Sequence, residues 1–117
     1  MRYLMLIYTP EVDPSTVSNE QRAATTAQYA AFTREVRERK ALEGGEALQQ
    51  TTTATTVRVR DGRPLVTDGP YAETKEALAG YYLLDVQDLD EALELAAKIP
   101  GAQWGAIEVR PIWEQGG

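Results

Sequence analysis

The sequence predicts an α+β fold, a ferredoxin-like β-α-β sandwich with an inserted β-hairpin. Three observations carry that expectation: the element order along the chain, capping signals ahead of two amphipathic segments, and strands that are apolar on both sides. At 117 residues the chain supports one domain, 1–117, with one core. Its composition, 43% hydrophobic and 26% charged, is ordinary for a folded globule.

The opening run MRYLMLIYT (1–9) reads as a strand ended by Pro10 and an Asp/Pro/Ser loop. Ser18 followed by Gln21 is a capping-box pair, and Tyr29, Phe32 and Val36 then recur on one helical face. The spacing predicts a helix to about residue 42, stopped by Gly44-Gly45. EALQQ (46–50) is a weak strand. TATTVRVRDGRPLVT (53–67) reads as a hairpin turning at Asp61-Gly62, with Pro64 confining its second arm to a sheet edge. GYYLLDV (80–86) is the next strand. Asp88 and Glu91 open a second helix with Leu89, Ala92, Leu93, Ala96 and Ile99 as its apolar stripe, ended by Pro100-Gly101. AIEVRPIW (106–113) closes the fold as a strand.

Two helices cover one face of such a sheet. Yet Leu4, Leu6 and Tyr8 are as apolar as Tyr3, Met5 and Ile7, and Tyr81 and Leu83 as apolar as Tyr82 and Leu84. A half-solvated strand would alternate with polar residues. A second copy laid sheet against sheet removes this surface from water, so a homodimer is expected.

A net charge of −6 speaks against nucleic acid or an anionic membrane as partner. With no cysteine and no histidine, thiol chemistry, Ser-His triads and zinc sites built on those residues are excluded. Nothing in the composition or motifs calls for a cofactor. YLMLIY is too short to cross a bilayer or to form a signal core, so a soluble, cytoplasmic protein is expected.

The stretch DGPYAETKEAL (68–78) concentrates the ionisable groups. On a plain structural reading, Asp68-Gly69-Pro70 is a turn in which Asp68 accepts from the backbone two residues on. Glu73 to Glu76 then form one solvated helical turn. On a functional reading, Asp68 and Glu73 are candidate acid/base groups beside a pocket. Lys75 is an anion grip held charged by Asp68, and Glu76 is a further ligand contact. Tyr8, Tyr29, Tyr81 and Tyr82 are candidate ligand-binding hydroxyls or core packing, and Glu46 a pocket carboxylate or a solvated strand end. A cation held by Asp68, Glu73 and Glu76 lacks any EF-hand-like spacing, and no metal site is assigned.

DGPYAETKEALAGYYLLDV, followed by DLDEALELAAKIPG and IEVRPI, resembles the YCII-related superfamily, in particular its DGPF-type branch. YLMLIY, GGEAL and ATTVRVRDG extend the resemblance over nearly the whole chain, with Tyr71 where the branch usually has Phe. The resemblance implies a ferredoxin-like dimeric α/β barrel; the first functional expectation is a small-molecule ligand in a pocket between sheet and partner subunit, with the DGPYAETKE loop at its rim. The His and Asp of better-known YCII-type proteins do not carry over, since this chain has no His and Tyr29 stands near the comparable helix position. DGPF-type proteins also accompany extracytoplasmic-function sigma factors. That implies, as the alternative, a non-catalytic interaction or sensory module in a linked stress pathway.

Overall fold

A computed structural model describes residues 1–115. Its strands are β1 (Arg2–Pro10), β2 (Leu42–Ala47), β3 (Thr55–Arg60), β4 (Arg63–Asp68), β5 (Glu76–Asp85) and β6 (Ala106–Pro111); its helices are α1 (Asn19–Glu38) and α2 (Leu89–Lys98). Four strands form an antiparallel sheet in the order β2-β5-β1-β6, consistent with the ferredoxin-like expectation. Among the described residues β3 and β4 pair only with each other, as a separate two-stranded ribbon. Asp61 (φ 51) and Gly62 (φ 73) make its turn, where both central residues need a positive φ.

The core lies on one side of the sheet. Tyr3, Met5, Ile7 and Leu84 meet Phe32 and Val36 of α1 and Ala92, Leu95 and Ala96 of α2. Ser18 caps α1 reciprocally with Gln21, and Asp88 caps α2 by accepting from the Glu91 amide. On the other side Leu4, Leu6, Tyr8, Leu78, Tyr81 and Leu83 are half-buried, and among the described residues no helix packs over them. The Cα radius of gyration is 16.4 Å, against about 13 Å for a compact chain of this length.

Three local expectations are corrected. α1 ends at Glu38, not near 42, because Lys40 takes the left-handed conformation (φ 59). Its amide donates to Arg37 O, and the Ala41 amide to Val36 O, the Schellman pairing. Gly44 and Gly45 therefore lie inside β2, and the strand read at 46–50 sits at Leu42–Ala47. A Cβ on Gly45 would meet Tyr81 O at 2.9 Å, so this glycine serves strand approach. Finally, 73–75 form no helical turn, and Glu76 to Leu78 already belong to β5.

Charged side chains tie α1 to α2. Glu35 accepts from Lys98 Nζ at 2.8 Å and from Arg39 Nη2 at 2.7 Å, and Arg39 also reaches Glu94 at 3.0 Å. The Lys98 hydrogen bond, aided by Arg39, holds the Glu35 carboxyl below the usual glutamate range. A depressed folded pKa gives stability that is present above the unfolded value and lost as pH falls through the folded one. The melting temperature is thus expected to fall between roughly pH 5 and pH 3, and Glu35→Gln to flatten part of that slope in melts recorded across the range.

Candidate functional site

The 68–76 segment is held by backbone and threonine contacts. The Gly69 amide donates to Ala54 O at 2.8 Å, and Thr56 Oγ1 donates to Gly69 O at 2.8 Å. Thr74 Oγ1 donates to the Glu76 carbonyl and leads the chain into β5. Gly69 itself has φ 110, a value that disfavours any side chain. Asp68 is exposed, and among the described residues its carboxylate accepts no hydrogen bond, so the turn expected from it is made by Thr56 and Ala54 instead. Thr56→Val is therefore expected to lower the melting temperature by several degrees, a loss of about 1 kcal/mol, and Asp68→Ala to leave it nearly unchanged in thermal melts.

A cleft of about 790 Å³ opens where this segment meets the uncovered sheet face. Pro70, Tyr71, Ala72 and Thr74 form one wall, Tyr8 and Leu78 the floor, and residues 48–57 the other wall. That second wall is pinned from the loop after β1: the Glu11 carboxylate accepts from the Thr51 amide at 2.8 Å and from its hydroxyl, and Gln50 Nε2 donates to Val12 O at 2.8 Å. The Thr51 hydroxyl and amide hold the Glu11 carboxyl below its usual range. Lining atoms are mostly apolar, and Tyr8, Tyr71 and the threonines at 51, 53, 55, 56 and 74 are its hydroxyl-bearing residues.

A second pocket of about 290 Å³ lies between α1 and the β2–β5 edge, where Tyr29, Tyr81, Tyr82 and Glu46 meet Thr25 and Trp104. The Tyr29 hydroxyl accepts from the Gly101 amide at 3.2 Å. Burial pushes it above the usual tyrosine range, the Gly101 amide opposing. Tyr82 shares a 2.9 Å hydrogen bond with Thr33 and stands edge-on to Phe32, with ring centroids 5.0 Å apart.

The candidate residues thus fall into three places. Tyr8 faces the larger cleft and Tyr29 and Tyr82 the smaller pocket, while Tyr81 and Glu46 touch that pocket's edge but, paired in register with Leu6, belong to the uncovered face. Asp68, Glu73, Lys75 and Glu76 are exposed at the rim; of these, Glu73 borders a shallow hollow of about 310 Å³ with Thr52 and Gly69. Among the described residues no ion pair joins Asp68 to Lys75, and no cluster of three or more acids is placed to hold a metal. Nor is any helix among them long and apolar enough to cross a membrane.

A family model described as YCII-related domain matches residues 1–115. The chain belongs to the YCII-related family. A protein of Rhizobium meliloti, named only as uncharacterized, is 40% identical over 114 residues, 96% of this chain and 92% of that protein. Among solved structures, 5-chloro-2-hydroxyhydroquinone dehydrochlorinase from Burkholderia phenoliruptrix, in complex with 2,5-dihydroxybenzoquinone, superposes with a TM-score of 0.54. The match spans 99% of this chain and 96% of that one at 13% identity, a likeness of fold.

Within this YCII-related chain, sequence reasoning missed most of the cleft lining. Thr51 and Thr74 carry no pattern that marks them, and Leu48 reads as an ordinary strand residue. Tyr8, a candidate ligand-binding hydroxyl, and Tyr71, with its added hydroxyl, were the lining positions with a signal. The Tyr71 ring is exposed, with the Arg58 guanidinium 4.9 Å from the ring centroid. Trp104 in the smaller pocket sits in a segment that reads only as a turn.

Proposed function

We propose that this YCII-related chain, of the DGPF type, is a homodimer that binds a small molecule between its uncovered sheet face and the partner subunit. The motif loop is the rim of that site. The observation that carries the reading is the 790 Å³ cleft, which opens on the uncovered apolar face and takes one wall from residues 70–74. The exposed area supports it as well. A compact 12.9 kDa monomer exposes about 6,300 Å², whereas this chain exposes 8506 Å². Covering the difference on each copy gives an interface in the range of permanent dimers.

A mostly apolar lining interspersed with hydroxyl-bearing residues suits a hydroxylated ring, and the dehydrochlorinase of like fold is seen with such a compound. Any chemistry falls to carboxylates, with Asp68 and Glu73 as acid/base candidates and Lys75 as anion grip. A second reading, a non-catalytic sensory or interaction module in a sigma-factor-linked stress pathway, is favoured by one observation: Asp68 and Glu73 are exposed and outside the lining of the larger cleft. In either case the expected setting is the cytoplasm, with no cofactor.

2,5-Dihydroxybenzoquinone is the first probe. Bound at a hundredfold excess over its Kd it adds about 2.7 kcal/mol of stability, readable as a raised melting temperature. Loss of turnover in Asp68→Ala and Glu73→Gln, with the dimer intact, marks an enzyme. Binding without turnover in the wild type marks a sensor. If neither this quinone nor any hydroxylated ring raises the melting temperature, the binding reading fails.

A further inference from the structure

We propose that the β3–β4 ribbon is an arm exchanged between two copies of the chain, laying its apolar side on the uncovered sheet face of the other copy. The inference rests on the homodimer of the preceding section and assigns the segment that clasps it.

The ribbon is two-sided. Pairing of Val57 with Val66 and of Val59 with Pro64 puts these four residues on one side. Arg58, Arg60, Arg63 and Leu65 lie on the other, where Arg58 approaches Tyr71. An amphipathic ribbon implies a cover for its apolar side, yet Val57, Val59 and Val66 are 59%, 61% and 65% exposed. Among the described residues its strands pair only with each other, and the hydrogen bond from the Gly69 amide to Ala54 O closes the ribbon at its base. An isolated two-stranded hairpin is marginal in water, so something outside the chain holds this one.

Three observations name the occupant as a second copy. The molecule already carries an unpartnered apolar surface of matching kind, with Leu4, Leu6 and Leu83 at its centre. Val57 lines the same cleft as Tyr8 and Leu78, so ribbon and sheet face are one continuous apolar surface, and a twofold exchange covers both halves on both copies. The ribbon, residues 55–68, also bears three arginines against two aspartates, a positive segment in a chain of net charge −6, so its charge complements the rest of its own chain. The cleft then gains its roof from the other subunit.

Sedimentation equilibrium of Val59→Asp/Val66→Asp, with circular dichroism to show that it folds, is the test. The expected result is a dimer weakened by roughly 100-fold, because two charges enter an apolar contact. Hydrogen exchange on Leu6→Asp is the second readout. Charging the sheet face is expected to release the amides of residues 55–68 to free-peptide rates while β1 and β5 stay protected. A wild-type dimer whose affinity survives the arm substitutions, or arm amides still slow in monomeric Leu6→Asp, overturns the exchange and leaves the homodimer standing. A wild type that is monomeric at millimolar chain overturns the homodimer and the arm together.

Discussion

Gly105→Ala is expected to destabilise the fold by about 3 kcal/mol and to lower its melting temperature by roughly 10 °C. A Cβ at this position would lie 2.1 Å from the Tyr8 carbonyl oxygen and 3.0 Å from Thr9 Cα. Both atoms belong to the backbone of β1, a central strand, so no side-chain rotation relieves the clash. Gly105 immediately precedes β6, whose first residue, Ala106, is in register with Tyr8. The added methyl therefore wedges β6 away from β1 where the edge strand begins. Gly44→Ala is the control: nothing lies within 4 Å of its Cβ, and its melt is expected to stay close to the wild type.

The second large effect compares neighbours on opposite faces. Leu84 is fully buried against the helices, and truncating it to alanine is expected to cost about 2–5 kcal/mol by lost burial and a residual cavity. That loss should not depend on protein concentration. Leu83 points to the uncovered face and is half-buried in the single chain. On the dimer reading, Leu83→Ala acts through the interface. Its melting temperature should lie below the wild type and climb with chain concentration, since association stabilises by mass action. Denaturation at two or more concentrations separates the two residues. A Leu83→Ala effect that is small and independent of concentration would mean that water, not a partner, faces this side.

The element order and both helix starts were readable because side-chain hydrogen bonds at Ser18 and Asp88 are local and the apolar stripes are periodic. Where the reading slipped, the same residue type serves two physical ends. Glycine favours both a left-handed helix cap and close strand approach. The pair at 44–45 was read as the first, yet Gly45 serves the second and Gly44 faces open space, while Lys40, with no favourable propensity, takes the cap. The motif slipped similarly. Asp68 has the chemistry of a turn former, yet Thr56, twelve residues earlier on the paired strand, holds the segment. That partner is set by strand register, which local sequence does not encode.

The site was readable to the extent that apolar residues on both sides of β1 and β5 marked a face in need of cover. Its lining was not, because hydroxyl residues from the loops after β2 and β4 are brought together only by tertiary contacts, such as the pinning of Thr51 by Glu11. The tyrosines divided for the same reason. Tyr8 and Tyr29 lie on different elements and on opposite sides of the sheet, so one list of candidates became two pockets.

The most direct test of the central claim, a ligand cleft closed by a second copy, is a native mass spectrum of the gently purified protein. The account predicts a species of twice the 12.9 kDa chain mass, carrying a small additional mass that is released on denaturation. A single-chain species with no added mass, at concentrations where permanent dimers persist, would contradict it.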